Sequence, residues 1–185
     1  MSTNKDVLEP VAGLSREIGL MVAGLEEVRA QTIANIADLS EEELAARFVS
    51  GAHQIGGLVL HLAECEFWWM HCAFAGKEIT EDDRRLAHLH DTTETDFALK
   101  GYDAERCIDR LNIIHQRTIE TLSGVSDQEL DRVITFKEHP LSSRGSLRWI
   151  LLRLIDHEAN HKGQIAMMKR LLRENSAESA TGATR

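Results

Sequence analysis

Proline is almost missing from this chain: Pro10 and Pro140 are the only two in 185 residues. Long stretches therefore carry no obligatory helix breaker. Also missing is any apolar run near the ~20 residues that a bilayer-spanning helix requires. Basic residues are outnumbered, 21 Lys and Arg against 30 Asp and Glu, which leaves a net charge of −9. That balance argues against nucleic acid or an anionic membrane as a partner. The opening stretch MSTNKDVLEP has no apolar core of the signal-peptide kind, so a cytoplasmic location is expected. Cysteine is scarce and odd in number. Cys65, Cys72 and Cys107 show no metal-finger spacing and are expected to be reduced thiols in the core.

What is present is helical periodicity, and no segment alternates well enough to be a strand. The pattern predicts long helices over about residues 13–37, 53–75, 103–123 and 146–172, an all-α four-helix bundle. The polar stretch 77–102 serves as a long crossover between the second and third helices, with room for one short helix. Residues 1–173 are expected to form a single domain, since this length suffices for one buried core. The small, polar stretch 174–185, ENSAESATGATR, is expected to be a disordered tail. Ser40 with Glu43, and Ser126 with Glu129, match capping boxes, and Ser146 is placed as the N-cap of the fourth helix. The two boxes belong to an internal echo: QTIANIADLSEEEL (31–44) aligns without gaps on RTIETLSGVSDQEL (117–130). Two similar helix pairs would give such an echo.

The fourth predicted helix contains HEANH, residues 157–161, which fits the H-E-x-x-H pattern of zinc proteases. Leu147, Ile150, Leu154, His157, His161, Gln164, Met168 and Leu171 follow steps of three and four, the inward seam of a bundle helix. His157 and His161 stack one turn apart on that seam, close enough to share a metal. On the second helix, Leu58, His61, Cys65, Trp68 and Cys72 form a similar seam, so two helices are expected to bring three imidazoles together. A lone inward His is commonly a satisfied core residue, but three unpaired imidazoles would waste hydrogen-bonding capacity. One metal ion solves that for all three. His53, His71, His88, His90, His115 and His139 are not assigned to the metal.

A protease reading fits poorly. A zincin needs a third ligand beyond the pair, yet no His follows His161, and the only later carboxylates are Glu174 and Glu178. Glu158 lies about 100° round the helix from His157 and is expected at the edge of the buried stripe, paired with a neighbouring helix or with Lys162.

The stretch HEANHKGQIAMMKRLL resembles the C-terminal helix motif of the DinB-like superfamily, and HQIGGLVLHLAECEFWW resembles its second-helix motif. The similarity runs over about residues 15–172, with Asn160 standing where many relatives have a further His. The resemblance implies an up-and-down-type bundle with a long second-to-third crossover, commonly a homodimer. It also implies a divalent metal, Zn or Ni by the preference of imidazole, held by His61, His157 and His161. Characterised relatives include transferases and isomerases that use a low-molecular-weight thiol as cosubstrate. A thiol-dependent S-transferase acting on small electrophiles is therefore the expected function. A non-catalytic metal-binding stress or interaction bundle is the alternative, with a metal-dependent hydrolase behind it. Cys65 (fourth ligand or core), Glu64 (acceptor for a ligand N–H), Trp68 and Trp69 (core, dimer surface or pocket), and Arg144 and Arg148 (carboxylate binding or exposed charge) remain open.

Overall fold

The computed structural model describes residues 7–48, 53–87, 103–136 and 144–182, with side chains as far as Asn175 at the C-terminal end. The described residues form six α-helices: α1 (Arg16–Ile36), α2 (Glu41–Leu44), α3 (Ile55–Phe67), α4 (Glu81–Ala87), α5 (Ala104–Leu122) and α6 (Leu147–Gly182). The long helices α1, α3, α5 and α6 make the bundle; α1 packs chiefly on α6, α3 chiefly on α5, and α3 also meets α6. The all-α expectation holds, and the crossover after α3 carries the short helix α4.

The ends of these helices show why the chain folds as it does. Ser40 makes a complete capping box: its side chain accepts from the Glu43 N–H while the Glu43 carboxylate accepts from the Ser40 N–H. Ser146 Oγ accepts from the Trp149 N–H as α6 begins. The second expected box does not form. Ser126 precedes only a 3₁₀ turn, Asp127–Glu129, and makes no side-chain cap. Its partner Glu129 binds Arg132 instead, and Asp127 is used elsewhere. The Asp127 carboxylate accepts from the backbone N–H groups of Glu17 and Ile18 at 3.1 and 3.0 Å, and from Ser15 Oγ at 2.7 Å. It thereby satisfies the otherwise orphaned donors at the start of α1.

Three further features depart from the sequence reading. The second bundle helix does not run as one α-helix: from Trp68 to Phe74 it widens into a π-helix, which Gly76 ends with φ +64°. The added residue per turn lets the adjacent Trp69 and Met70 both face the core. A two-stranded hairpin, β1 (Val133–Thr135) with β2 (Arg144–Ser146), stands where no strand was expected. Strands of three residues are too short for alternation to show. Finally, α6 continues to Gly182, so the stretch expected as a disordered tail from 174 is helical as far as 182. Once a helix is nucleated each added residue costs little, and 174–181 contains neither Pro nor Gly to stop it.

Two apolar clusters fill the bundle. One gathers Leu58, Leu62, Leu111, Ile114 and Ile165. The other gathers Ile18, Val22, Trp69, Phe136 and Ile150 around the hairpin end. Trp69 is thus a core residue, stacked edge-on against Phe136 and Trp149. Arg148 is held by both Asp131 and Glu17. The three cysteines are free thiols, Cys107 buried and the other two half-buried.

Candidate metal centre

His61 from α3 and His157 and His161 from α6 meet at one place. The ring centroids of His61 lie 5.1 Å from His157 and 5.4 Å from His161, and those of His157 and His161 lie 4.5 Å apart. Nε2 of His161 faces Nε2 of His157 at 3.0 Å. Cys65, one turn beyond His61, places its sulfur 3.5 Å from His61 Nε2. Ligand atoms of His61, Cys65 and His157 all fall within 4.8 Å of one another. Donor atoms around a tetrahedral ion stand roughly 3.3–3.6 Å apart, so this donor set is already near the spacing a metal would impose.

The electrostatics favour a cation. Burial, with His161 and His61 adding to it, pushes His157 down to about 3, so its imidazole is neutral near pH 7. His161 Nδ1 bonds Gln164 Oε1 at 2.9 Å. An amide oxygen only accepts, so Nδ1 carries the proton and Nε2 offers its lone pair toward His157. Glu64 stands 4.0 Å from His61 Nδ1, the position of an outer partner for that ring. Imidazole with an adjacent thiol suits zinc or nickel, and the residues present fit such an ion.

One expectation about this helix is corrected. Glu158 is not at the edge of the buried stripe but inside it, 2% exposed and paired with the neighbouring helix α1, while His157 and His161 are only half-buried. The buried face of α6 keeps Leu147, Ile150 and Leu154 of the seam assigned from sequence, but then runs through Glu158 and Ile165, one residue on from His157 and Gln164. The histidines flank that face, where a metal could still be reached from solvent.

Behind them lies a charge network that the sequence reading missed. Arg29 of α1, 4% exposed, grips Glu158 with two hydrogen bonds of 3.1 and 2.6 Å. Its other guanidinium nitrogen pairs with Glu66 of α3 at 2.6 Å. Glu66 in turn bonds His115 Nδ1 of α5 at 3.0 Å, and His115 Nε2 reaches Glu26 at 3.2 Å. Glu66 and Glu158 each directly follow a member of the imidazole and thiol cluster, so the network fixes the rotation of both helices. With its carboxylate engaged by Arg29, Glu158 is not placed as the general base of a zincin.

Burial disfavours charge on Glu66, yet Arg29 and His115 outweigh it and hold the carboxyl at about 2. For His115, burial is likewise outweighed by Glu66 and the pKa is raised. The stability supplied by Glu66 is fully present above the usual carboxylate pKa, about 4.5, and is lost as pH falls toward 2. That of His115 is present below about 6.5 and lost as pH rises through its raised value. Urea unfolding is therefore expected to show a broad stability maximum near pH 5–6. The decline below pH 4 should be on the order of 3 kcal/mol by pH 2 from Glu66 alone.

Beside the imidazoles a cavity of about 650 Å³ opens between α3 and α6, lined on one side by Leu58 and on the other by Asn160, Gly163, Gln164 and Met168. Of the other sequence candidates, His71 bonds the Glu78 carbonyl away from this centre, and His53 lines the cavity. His88, His90 and His139 lie outside the described residues.

Fold and site together define a DinB-like bundle with a candidate metal centre between two of its helices. Over residues 20–175 the chain matches the family model described as "Mycothiol-S-transferase", and it belongs to that family. Among solved structures it is similar to a DinB-like protein from Bacillus cereus, at 16% identity and TM-score 0.61, covering 84% of this chain and 92% of that one. It is also similar to a conserved protein from Enterococcus faecalis, at 17% identity and TM-score 0.56, covering 82% and 94%. These likenesses establish the fold. Comparison with curated proteins finds no match.

Proposed function

We propose that the chain is a divalent-metal-dependent S-transferase that joins a low-molecular-weight thiol to a small electrophile. The observation that carries this reading is the convergence of His61, His157 and His161 at a half-buried place beside an open cavity. The family description adds mycothiol as the thiol to try first. A divalent ion held there by neutral imidazoles would supply Lewis acidity that lowers the pKa of a bound thiol. The protein's own contribution is positional. Gln164 fixes the tautomer of His161, Glu64 stands beside His61 Nδ1, and the Arg29 network sets the rotation of α3 and α6.

The zinc- or nickel-loaded protein is expected to conjugate mycothiol, or failing that bacillithiol or glutathione, to an activated alkyl halide. The rate should fall to background on chelation and return with metal, and no peptide should be cleaved. Conjugation at the protein-free rate with all three thiols would defeat the proposal. One contact favours a second reading, a non-catalytic metal-binding bundle: Cys65 Sγ stands near enough to His61 to close the site as a fourth ligand. Cys65→Ala separates the two, since it should spare conjugation in an enzyme but weaken metal binding at a closed site.

A further inference from the structure

Glycine in the interior of a helix costs roughly 1 kcal/mol relative to alanine, so Gly163 in the middle of α6 calls for a reason. Close packing is not that reason: a Cβ built on Gly163 meets no atom within 4 Å. It would instead enter the cavity beside the imidazoles, which Gly163 lines. The cavity wall is apolar, with Phe48, Leu58, Met167, Met168 and Leu171. Its polar groups are His53 and two amides, Asn160 and Gln164, and no Lys, Arg, Asp or Glu lines it among the described residues. The site is open, with Met167 51% exposed, and offers a charged ligand no counter-charge, whereas two flexible methionines adapt to varied apolar shapes. At about 650 Å³ it has the size of a small-molecule site. It also adjoins the candidate centre directly, because Gln164 is the residue bonded to His161 and Leu58 lies one turn from His61.

We propose that this cavity is the acceptor subsite, taking a neutral electrophile with an apolar, aromatic-sized body, and that the absent side chain at Gly163 keeps it open. The word acceptor rests on the S-transfer reading; the selectivity for neutral apolar molecules does not. With a benzyl halide the reaction forms one C–S bond and breaks one C–halogen bond. The thiol proton passes to solvent, the sulfur pair bonds the benzylic carbon, and halide leaves with the bonding pair.

The test uses the full chain and the neutral fluorophore N-phenyl-1-naphthylamine, with no thiol present. Saturable binding to the wild type is expected. Gly163→Leu should weaken it roughly tenfold or more, Gly163→Ala only slightly, with metal content retained and thermal midpoints not lowered in either. In conjugation, Gly163→Leu should lower the preference for a benzyl halide over iodoacetamide by about the same factor. Probe binding that is unsaturable, or equal in Gly163→Leu, overturns the inference even if conjugation is found. Conjugation failing with every thiol, beside probe binding that Gly163→Leu removes, sinks the S-transfer reading and supports the cavity's selectivity. Probe affinity that falls as protein concentration rises would mean that a second copy covers the cavity, which also overturns the proposal.

Discussion

Arg29→Met is expected to cost about 3–5 kcal/mol of stability, most of the margin of an ordinary domain. The guanidinium is the only cation among the described residues that touches both Glu66 and Glu158. Removing it leaves the buried Glu158 carboxylate without its guanidinium partner and Glu66 with His115 alone. Replacing Arg29 and both of its carboxylate partners, with His115 left to Glu26, is expected to be far milder. In Arg29→Met/Glu66→Leu/Glu158→Leu no buried charge remains unpaired, and apolar substitutes of similar volume commonly match or exceed a buried ion pair. Urea titration of both variants at pH 7 checks this. A single Arg29→Met variant as stable as the triple one would mean that the network carries no electrostatic strain.

The second large effect concerns the metal. His157 touches both other imidazoles, facing His161 Nε2 at 3.0 Å and with its ring centroid 5.1 Å from that of His61. Loss of an outer partner alone typically costs 10–100-fold in metal affinity, and loss of a donor costs more. His157→Ala is therefore expected to abolish zinc or nickel retention through gel filtration, with His61→Ala and His161→Ala nearly as severe. His71→Ala, whose ring bonds the Glu78 carbonyl instead, should retain about one ion per chain. Metal analysis of the four proteins decides the matter. Full occupancy in His61→Ala would remove α3 from the site.

The histidine cluster was legible because its signal is strong and local: an i, i+4 pair on one helix and a third His on a seam of another. What stayed hidden was the phase of the buried face. A bundle helix buries a stripe wide enough to include neighbouring seams, so HEANH alone does not say whether His157 or Glu158 faces the centre. Arg29 was better marked than it looked. Ile18, Val22, Leu25, Arg29, Thr32 and Ile36 are all buried, and their steps of four and three were there to be followed. An arginine on such a seam demands buried carboxylates, and Glu66 occupies the same kind of place after Ile55, Val59 and Leu62. The π-helix left no such trace: WWMHCAF carries no Gly, Pro or periodic pattern that marks where the helix widens.

The network has a further meaning for how the chain acquires its shape. Its members sit at positions 29, 66, 115 and 158, one on each long helix, and none can find its partners within its own segment. A half-assembled bundle would hold at least one dehydrated charge with no mate, a state of high free energy. Partial structures are therefore expected to be disfavoured, so that urea unfolding followed by helix content and by tryptophan fluorescence should coincide. The imidazole cluster depends on that arrangement, since Glu66 and Glu158, next to Cys65 and His157, tie its two helices to α1 and α5 through Arg29 and His115.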